Sequence, residues 1–112
     1  MKLIIAGCRH IQVSDEQIDM AIDEFPSEVV CGMARGVDLC GKRWAENRGI
    51  PVKEFPADWD MLGKAAGPAR NGSMARYADA LLVVWDGKSK GTANMIKQAR
   101  ELGLSVKIMA VA

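Results

Sequence analysis

The sequence predicts an α/β fold: a doubly wound, Rossmann-like sheet of five parallel strands with helices on both faces, in one domain spanning residues 1–112. Apolar runs and helical patterns alternate from one end of the chain to the other, which is typical of strand–helix–strand units. The first run, Lys2–Ala6, is typical of a strand buried on both faces. The helical patterns, of about ten residues, suit right-handed crossovers between parallel strands.

The first strand and helix follow from local signals. Lys2–Ala6 is a short apolar run ended by Gly7. Ser14 and Gln17 have the spacing of a capping box, so a helix begins there, and Pro26 is expected to end it. Its apolar face consists of Ile18, Ala21, Ile22 and Phe25.

The middle of the chain repeats this alternation. Glu28–Cys31 predicts a second strand and Val37–Arg48 a helix, which Gly49 terminates. Pro51–Phe55 predicts a third strand, and residues 56–60 a loop. On the helix, Cys40 and Trp44 fall on the apolar face and are expected in the core, as is Cys31 at the end of the second strand.

The last third predicts two more units. Pro68 begins a helix that covers Ala69–Ala78, because proline is tolerated in a first turn. Ala80–Val84 is the fourth strand, Ala93–Leu102 a helix with a buried face, and Leu104–Val111 the fifth strand.

Composition limits the function classes. The chain has 15 Lys and Arg against 14 Asp and Glu, a net charge of +1. This disfavours non-specific attraction to nucleic acid or to a membrane surface. The three cysteines and single His10 have no metal-ligand spacing, so no metal is predicted. We see neither a secretory leader nor a membrane-spanning apolar run, and we expect a soluble, cytoplasmic protein with reduced thiols.

The loops at the carboxyl ends of the strands are the expected ligand site, because doubly wound sheets bind ligands there. These loops are 7–10, 31–38, 56–60 and 85–92. Three of them combine glycine with a cation and precede a helix. Such a loop brings backbone N–H groups, a helix dipole and charge to an anion. Any one could be an ordinary turn; together they predict a phosphate-bearing nucleotide as ligand.

None of these loops is a standard nucleotide fingerprint. Gly32–Gly36 lacks the G-x-G-x-x-G spacing, and Gly87–Thr92 lacks the G-K-[ST] ending of a P-loop. An ordinary NAD dehydrogenase or P-loop ATPase is therefore disfavoured.

Arg70 and Asn71 form another candidate pair. A helix beginning near Pro68 would place both in its first turn, where an arginine opposes the helix dipole. This position suggests that Arg70 serves a ligand, although a solvated arginine is the alternative.

Taken in order, the motifs resemble those of the YspA/YpsA-related SLOG family over nearly the whole chain. They are Gly-Cys-Arg, Gly-x-Ala-Arg-Gly-x-Asp, Pro-Ala-Asp-Trp, Ala-Gly-Pro-x-Arg-Asn-x-x-Met and Trp-x-Gly-x-Ser-x-Gly-Thr. The SLOG superfamily includes the Lonely Guy phosphoribohydrolases, also called lysine decarboxylase-like proteins, and the Smf-type DNA-processing proteins. The resemblance implies a Rossmann-like domain that binds a nucleotide or a nucleotide-derived ligand.

The loops and the resemblance together predict a set of ligand-binding residues. Within it, Arg70 and Asn71 resemble the Arg-Lys pair of the phosphoribohydrolases, whose arginine is catalytic. Gly91 and Thr92 resemble the Gly-Thr of their phosphate loop. The full set is Gly7, Cys8, Arg9, Gly32, Arg35, Gly36, Asp38, Asp58, Trp59, Arg70, Asn71, Gly87, Ser89, Gly91 and Thr92.

One departure from the phosphoribohydrolases concerns catalysis. Their catalytic Glu falls three residues after the Thr, where this chain has Met95, and the neighbouring Asn94 is no carboxylate either. Cleavage of an N-glycosidic bond requires a carboxylate, so that activity is not inherited. Asp38, Asp58 or Asp86 could substitute, and Arg70, Asp38 and Asp58 are the catalytic candidates.

Several candidates keep two interpretations. Trp59 could stack on a base or plug the sheet edge. Asp38 could contact the ligand or complement the helix dipole. Cys8, expected at the mouth of the site, could carry a thiolate. His10 could be an acid–base group or a structural histidine.

The predicted function is binding of a nucleotide-type small molecule at the carboxyl edge of the sheet, with no cofactor required and an ADP-ribose-like ligand among the candidates. The first alternative is a nucleotide N-glycoside hydrolase with a relocated carboxylate. The second is a DNA-interacting module like the Smf-type proteins, which the near-zero net charge disfavours. The resemblance also implies a homodimer.

Overall fold

The strands and helices alternate along the chain in the computed structural model, which describes residues 1–110. The strands are β1 (Lys2–Gly7), β2 (Glu28–Cys31), β3 (Val52–Glu54), β4 (Ala80–Trp85) and β5 (Ser105–Ala110). The helices are α1 (Asp15–Ala21), α2 (Val37–Asn47), α3 (Trp59–Leu62), α4 (Ala66–Tyr77) and α5 (Lys90–Glu101). The predicted end of the last strand, Val111, lies outside the described residues.

All five strands are parallel, in the order β3-β2-β1-β4-β5. This confirms the predicted Rossmann-like α/β fold. The chain winds outward from β1 to β3 and then crosses back, so that β4 pairs with the other side of β1. The strand order therefore reverses between β1 and β4, and a crevice is expected at the carboxyl ends of these two strands.

Alternate residues of the central strands pack into two separate apolar layers. Ile5 and Val84 face α1 and α2, whereas Ile4 and Val83 face α4 and α5. Trp44 is fully buried in the first layer, and Cys31 and Cys40 are buried as well. The predicted core positions of these three residues are thus confirmed.

The first helix differs from its prediction. The capping box of Ser14 and Gln17 is present, but α1 ends at Ala21 and not at Pro26. The chain needs residues 22–27 to return to the amino end of β1, where the Ser27 amide donates to the Met1 carbonyl. Phe25 is therefore not part of a helical face; it is largely exposed and packs edge-on against Trp44.

Three further differences exceed a single residue, and all three lie near the crevice; the other predicted bounds that fall on described residues are within one residue of those observed. The expected loop 56–60 ends in the short helix α3. A 3₁₀ turn, Gly63–Ala65, leads into α4, which begins at Ala66 and so places Arg70 in the second turn rather than the first. Helix α5 begins at Lys90, not Ala93. Within residues 1–110, no helix combines the length and apolarity needed to cross a membrane.

Candidate functional site

A pocket of about 560 Å³ lies at the carboxyl edge of the sheet, at the reversal of strand order. The end of β1, the first turn of α2, the amino-terminal parts of α4 and α5, and Trp59 of α3 surround it. Its lining includes a large share of the residues predicted from sequence, namely Gly7, Arg9, Asp38, Trp59, Arg70, Asn71, Ser89, Gly91 and Thr92. The remaining predicted residues do not line it: Cys8, Gly32, Arg35, Gly36, Asp58 and Gly87.

Two of the glycines outside the lining shape the pocket from behind. Gly36 precedes α2 with a φ of 77°, and a Cβ there would lie 2.4 Å from the Cys8 carbonyl oxygen. A Cβ at Gly32 would lie 2.7 Å from Asp38 Oδ2 and 2.9 Å from Arg70 Nη1. Both positions therefore need glycine because other groups of the site occupy the space of a side chain.

The other outlying residues have local roles. Cys8 is buried and its Sγ lies 3.9 Å from the Thr92 hydroxyl, so it is not at the mouth of the site as predicted. Asp58 caps α3 by accepting from the Met61 amide. The Arg35 side chain is exposed, and Gly87 has a φ of 80° in the turn that precedes α5.

Three cations line the pocket: Arg9, Arg70 and Lys90. Within residues 1–110, the ion pairs all involve other basic residues, so these three have no carboxylate at ion-pair distance. The Arg9 guanidinium lies over the Trp59 ring, 5.7 Å from its centre, within cation–π range. No ion pair within the described residues therefore neutralises these three cations.

The first turn of α5 adds backbone donors. Ser89 is the N-cap, and its hydroxyl accepts from the Thr92 amide. The first intrahelical bond runs from the Ala93 amide to the Ser89 carbonyl. The amides of Lys90 and Gly91 come before it and have no acceptor within the described part of the chain. A Cβ at Gly91 would meet nothing within 4 Å, so the surface over this turn is open.

A side-chain network joins α4 to this turn. Asn71, buried in α4, donates to the Gly91 carbonyl at 3.2 Å and to Asn94 Oδ1 at 3.1 Å, and its own oxygen accepts from Arg70 Nε. Gln98 also donates to Asn94 Oδ1. The Asn94 oxygen thus accepts two hydrogen bonds, whereas its amide nitrogen has no acceptor within the described residues.

Asp38 is the carboxylate of the pocket lining, and it is only 4% exposed. Its Oδ1 accepts from the Gly7 amide and its Oδ2 from the Ala34 amide, both at 3.3 Å. Burial raises the pKa of Asp38 to about 6, although Arg70 and the two amides act in the opposite direction. Asp38 lies in the first turn of α2 and also lines the pocket, so the two interpretations of this residue are compatible.

Arg70 lines the pocket, and a backbone carbonyl of the loop after β2 holds its side chain in place. Its Nη1 donates to the Gly32 carbonyl, and burial lowers the pKa of its guanidinium, an effect that Asp38 opposes. The dipole argument for Arg70 was wrong, because the residue lies in the second turn of α4.

The other acid–base candidates lie outside the pocket. Asp86 accepts from the amides of Lys88 and Ser89, which lower its pKa, and it pairs with His10 at 3.4 Å. The His10 side chain is 68% exposed. These two residues stabilise and flank the turn before α5, and neither belongs to the pocket lining.

Part of the pocket lining is apolar. Trp59, Pro68 and Met74 contribute to it, together with Met95, which is 2% exposed. By the resemblance alone, Met95 takes the position of the phosphoribohydrolase Glu, and it brings a thioether to the pocket lining in place of a carboxylate.

Several lining residues were not in the predicted set: Ala6, Ala34, Gly67, Pro68, Met74, Lys90, Asn94 and Met95. Helical spacing could have identified part of this group. Gly67 and Met74 lie three or four residues from Arg70 or Asn71, and Asn94 and Met95 lie at the same spacings from Gly91. The prediction missed Asn94 and Met95 because it began α5 at Ala93 and not at Lys90.

Comparison with known proteins identifies the family. Residues 1–61 match the model of the YspA, cpYpsA-related SLOG family. The chain is also 38% identical over 84 residues to the Gene 61 protein of Mycobacterium phage D29, an alignment that covers 70% of this chain and 67% of that protein. The chain therefore belongs to the YspA/cpYpsA-related SLOG family, a family of nucleotide-related binding and processing domains.

Proposed function

We propose that the pocket binds a nucleotide or a nucleotide-derived phosphorylated ligand. The observation that carries this proposal is the group of three cations, Arg9, Arg70 and Lys90, without carboxylate partners beside the unpaired amides of α5. Unpaired amides at a helix N-terminus and cations that lack a partner are the groups that bind phosphate in proteins.

The size and the apolar lining residues of the pocket support a ligand larger than a bare phosphate. About 560 Å³ falls within the range of small-molecule sites. Trp59 is half exposed and lies beside Arg9, so its ring offers a stacking surface to a base. We propose that the phosphate binds at α5 and that the base or ribose lies toward Trp59.

A substitution at Gly91 tests the phosphate position. Gly91→Asp adds a negative charge where the space is open, and an acidic residue in a first turn complements the helix dipole, so the fold is expected to persist. Repulsion should weaken nucleotide binding by at least about tenfold. Titration calorimetry with a panel of nucleotides and ADP-ribose derivatives measures this loss.

Gly91→Ala is the matched control, because it adds a Cβ without charge and should retain binding. Arg70→Ala should also abolish binding, whereas Arg100→Ala, at an exposed position in the last turn of α5, should not. A panel without binding at millimolar ligand, or equal binding by Gly91→Asp and Gly91→Ala, would contradict the proposal.

A second candidate function, hydrolysis of a nucleotide N-glycoside, is favoured by the position of Asp38. It is the pocket carboxylate, with a pKa raised to about 6, whereas Asp58 and Asp86 lie elsewhere. We expect the wild type to release free base from a nucleotide and Asp38→Asn to lose this release while it still binds. Chromatography of the products distinguishes the candidates: tight binding without free base excludes hydrolysis.

The remaining expectations stay predictions from the sequence. Self-association follows from the resemblance alone. An intracellular, reducing environment agrees with the three buried free cysteines, Cys8, Cys31 and Cys40. A DNA-interacting role remains disfavoured by the near-zero net charge.

A further inference from the structure

The donors and acceptors of the pocket are unequally distributed. Arg9, Arg70 and Lys90, the Asn94 amide and the free amides of α5 are all hydrogen-bond donors. Among the described lining residues, Asp38 is the carboxylate, and it forms no ion pair. A phosphate would satisfy the donors but not Asp38.

Asp38 is held in place for such a role. Its two oxygens accept from the amides of Gly7, at the end of β1, and of Ala34, in the loop after β2, and these two bonds fix the carboxylate plane. Each oxygen retains a second lone-pair site. A buried carboxylate without an ion pair is costly, and a donor from the ligand would offset that cost.

The position of Asp38 also limits what can bind to Arg70. Asp38 Oδ2 and Arg70 Nη1 both border the same space at Gly32. An anion on Arg70 is therefore close to Asp38 and repelled by its charge, unless the ligand places a hydrogen-bond donor against the carboxylate.

From this geometry we propose that Asp38 is a specificity-determining residue that accepts a hydrogen bond from a hydroxyl group of the phosphorylated ligand. The inference rests on the proposed function and deepens it: Asp38 selects phosphate esters that carry sugar hydroxyls over anions that lack them. The hydroxyl donates to Asp38, while the phosphate binds the cations and the first turn of α5.

Protonation of Asp38 should remove this selectivity. The titratable or charged groups that face it are Arg70 of α4, Arg9 after β1 and Cys31 of β2. Burial raises the pKa of the Cys31 thiol to about 11, so below pH 8 this thiol stays neutral. Asp38, with a pKa of about 6, is then the group among these that titrates between pH 5 and pH 8.

The test compares adenosine 5′-monophosphate with its 2′,3′-dideoxy analogue, which has the same base and the same phosphate but no ribose hydroxyls. Titration calorimetry at pH 8 should show the hydroxylated ligand binding about tenfold more tightly, as expected for a hydrogen bond to a charged acceptor. At pH 5 the ratio of the two affinities should fall to about threefold or less, because the neutral carboxyl is a weaker acceptor. The phosphate titrates in the same way in both nucleotides, so its effect on affinity cancels in the ratio.

Asp38→Asn should give the low ratio at both pH values. The wild-type pH comparison tests the proposal even if this variant is unstable. Equal affinities for the two nucleotides at pH 8, or a ratio that changes with neither pH nor Asp38→Asn, would overturn the proposal and leave the proposed function standing. Failure of both nucleotides to bind at either pH would overturn it as well; if the wider panel were also silent, the proposed function would fall with it.

Discussion

Gly41 and Gly91 both lie in helices, but the space around them differs. A Cβ at Gly41 of α2 would lie 2.7 Å from Cβ and Cγ2 of Ile5, on the central strand β1. A Cβ at Gly91 of α5 would meet nothing within 4 Å. The same added methyl group should therefore have opposite effects on stability at the two positions.

Gly91→Ala should raise the free energy of unfolding by up to about 1 kcal/mol, because alanine favours the helix. Gly41→Ala should lower it by about 1–3 kcal/mol, because Ile5 is β-branched, fully buried and unable to move aside. Urea denaturation measures both changes. Effects of the same sign at both positions would contradict the close packing of α2 on β1.

At the scale of elements, the sequence predicted that five strands exist and that helices alternate with them along the chain. Alternating apolar runs carry that information locally, and a parallel sheet follows from the alternation. The carboxyl edge as the place of the pocket follows from the same rule. Element ends were less predictable, and they are what determines which residues line the pocket.

Helix α5 shows why the element ends were missed. Lys90, Gly91 and Thr92 read as a loop because glycine and β-branched residues are poor helix formers. A first turn needs few intrahelical bonds, however, and Ser89 caps it. The same tolerance let α4 begin at Ala66, ahead of Pro68. Both helices are longer toward the pocket than their patterns predicted.

The contacts between distant side chains had no local signal. Asp38 accepts from the Gly7 amide across 31 residues of sequence, and Asn71 donates to Asn94 across 23. Such pairs depend on how α2 and α4 dock on the sheet, which periodicity does not encode. The residue types of the site could be predicted from the loops, but their partners could not.

At the scale of the whole molecule, the net charge is +1, but the charged residues are unevenly distributed. Asp15 and Asp19 of α1 pair with Arg43 and Arg48 of α2 on the far side of the sheet from α4 and α5. Those ion pairs neutralise one surface. Arg9, Arg70 and Lys90 in the pocket have no ion-pair partner within the described residues, so a nearly neutral protein retains a local cluster of positive charge there.

These charges also shape the pH dependence of stability. Hydrogen bonds and ion pairs lower the pKa values of Asp15 and Asp19 below the ordinary 3.8. Their contribution to stability is present above that value and is lost as the pH falls through their folded-state pKa values. The contribution of Asp38 to stability changes with pH in the opposite direction, because its pKa is raised from 3.8 to about 6.

Asp38 should therefore make the wild type more stable in mild acid. Its protonated form is favoured in the folded state, so this contribution is complete below about pH 4 and is lost as the pH rises through about 6. A shift of about two pKa units corresponds to roughly 3 kcal/mol.

Asp38→Asn removes this dependence. The NH₂ group of the asparagine would face the backbone N–H of Gly7 or Ala34, so one hydrogen bond is lost. This lowers the free energy of unfolding by about 1–3 kcal/mol at every pH. Relative to this variant, the wild type should gain roughly 3 kcal/mol in free energy of unfolding between pH 7 and pH 4, since all other groups are shared. Urea denaturation at four pH values across this range measures the difference. Parallel profiles for the two proteins would show that Asp38 is not buried as an unpaired carboxylate, and the argument for its selectivity would lose its physical basis.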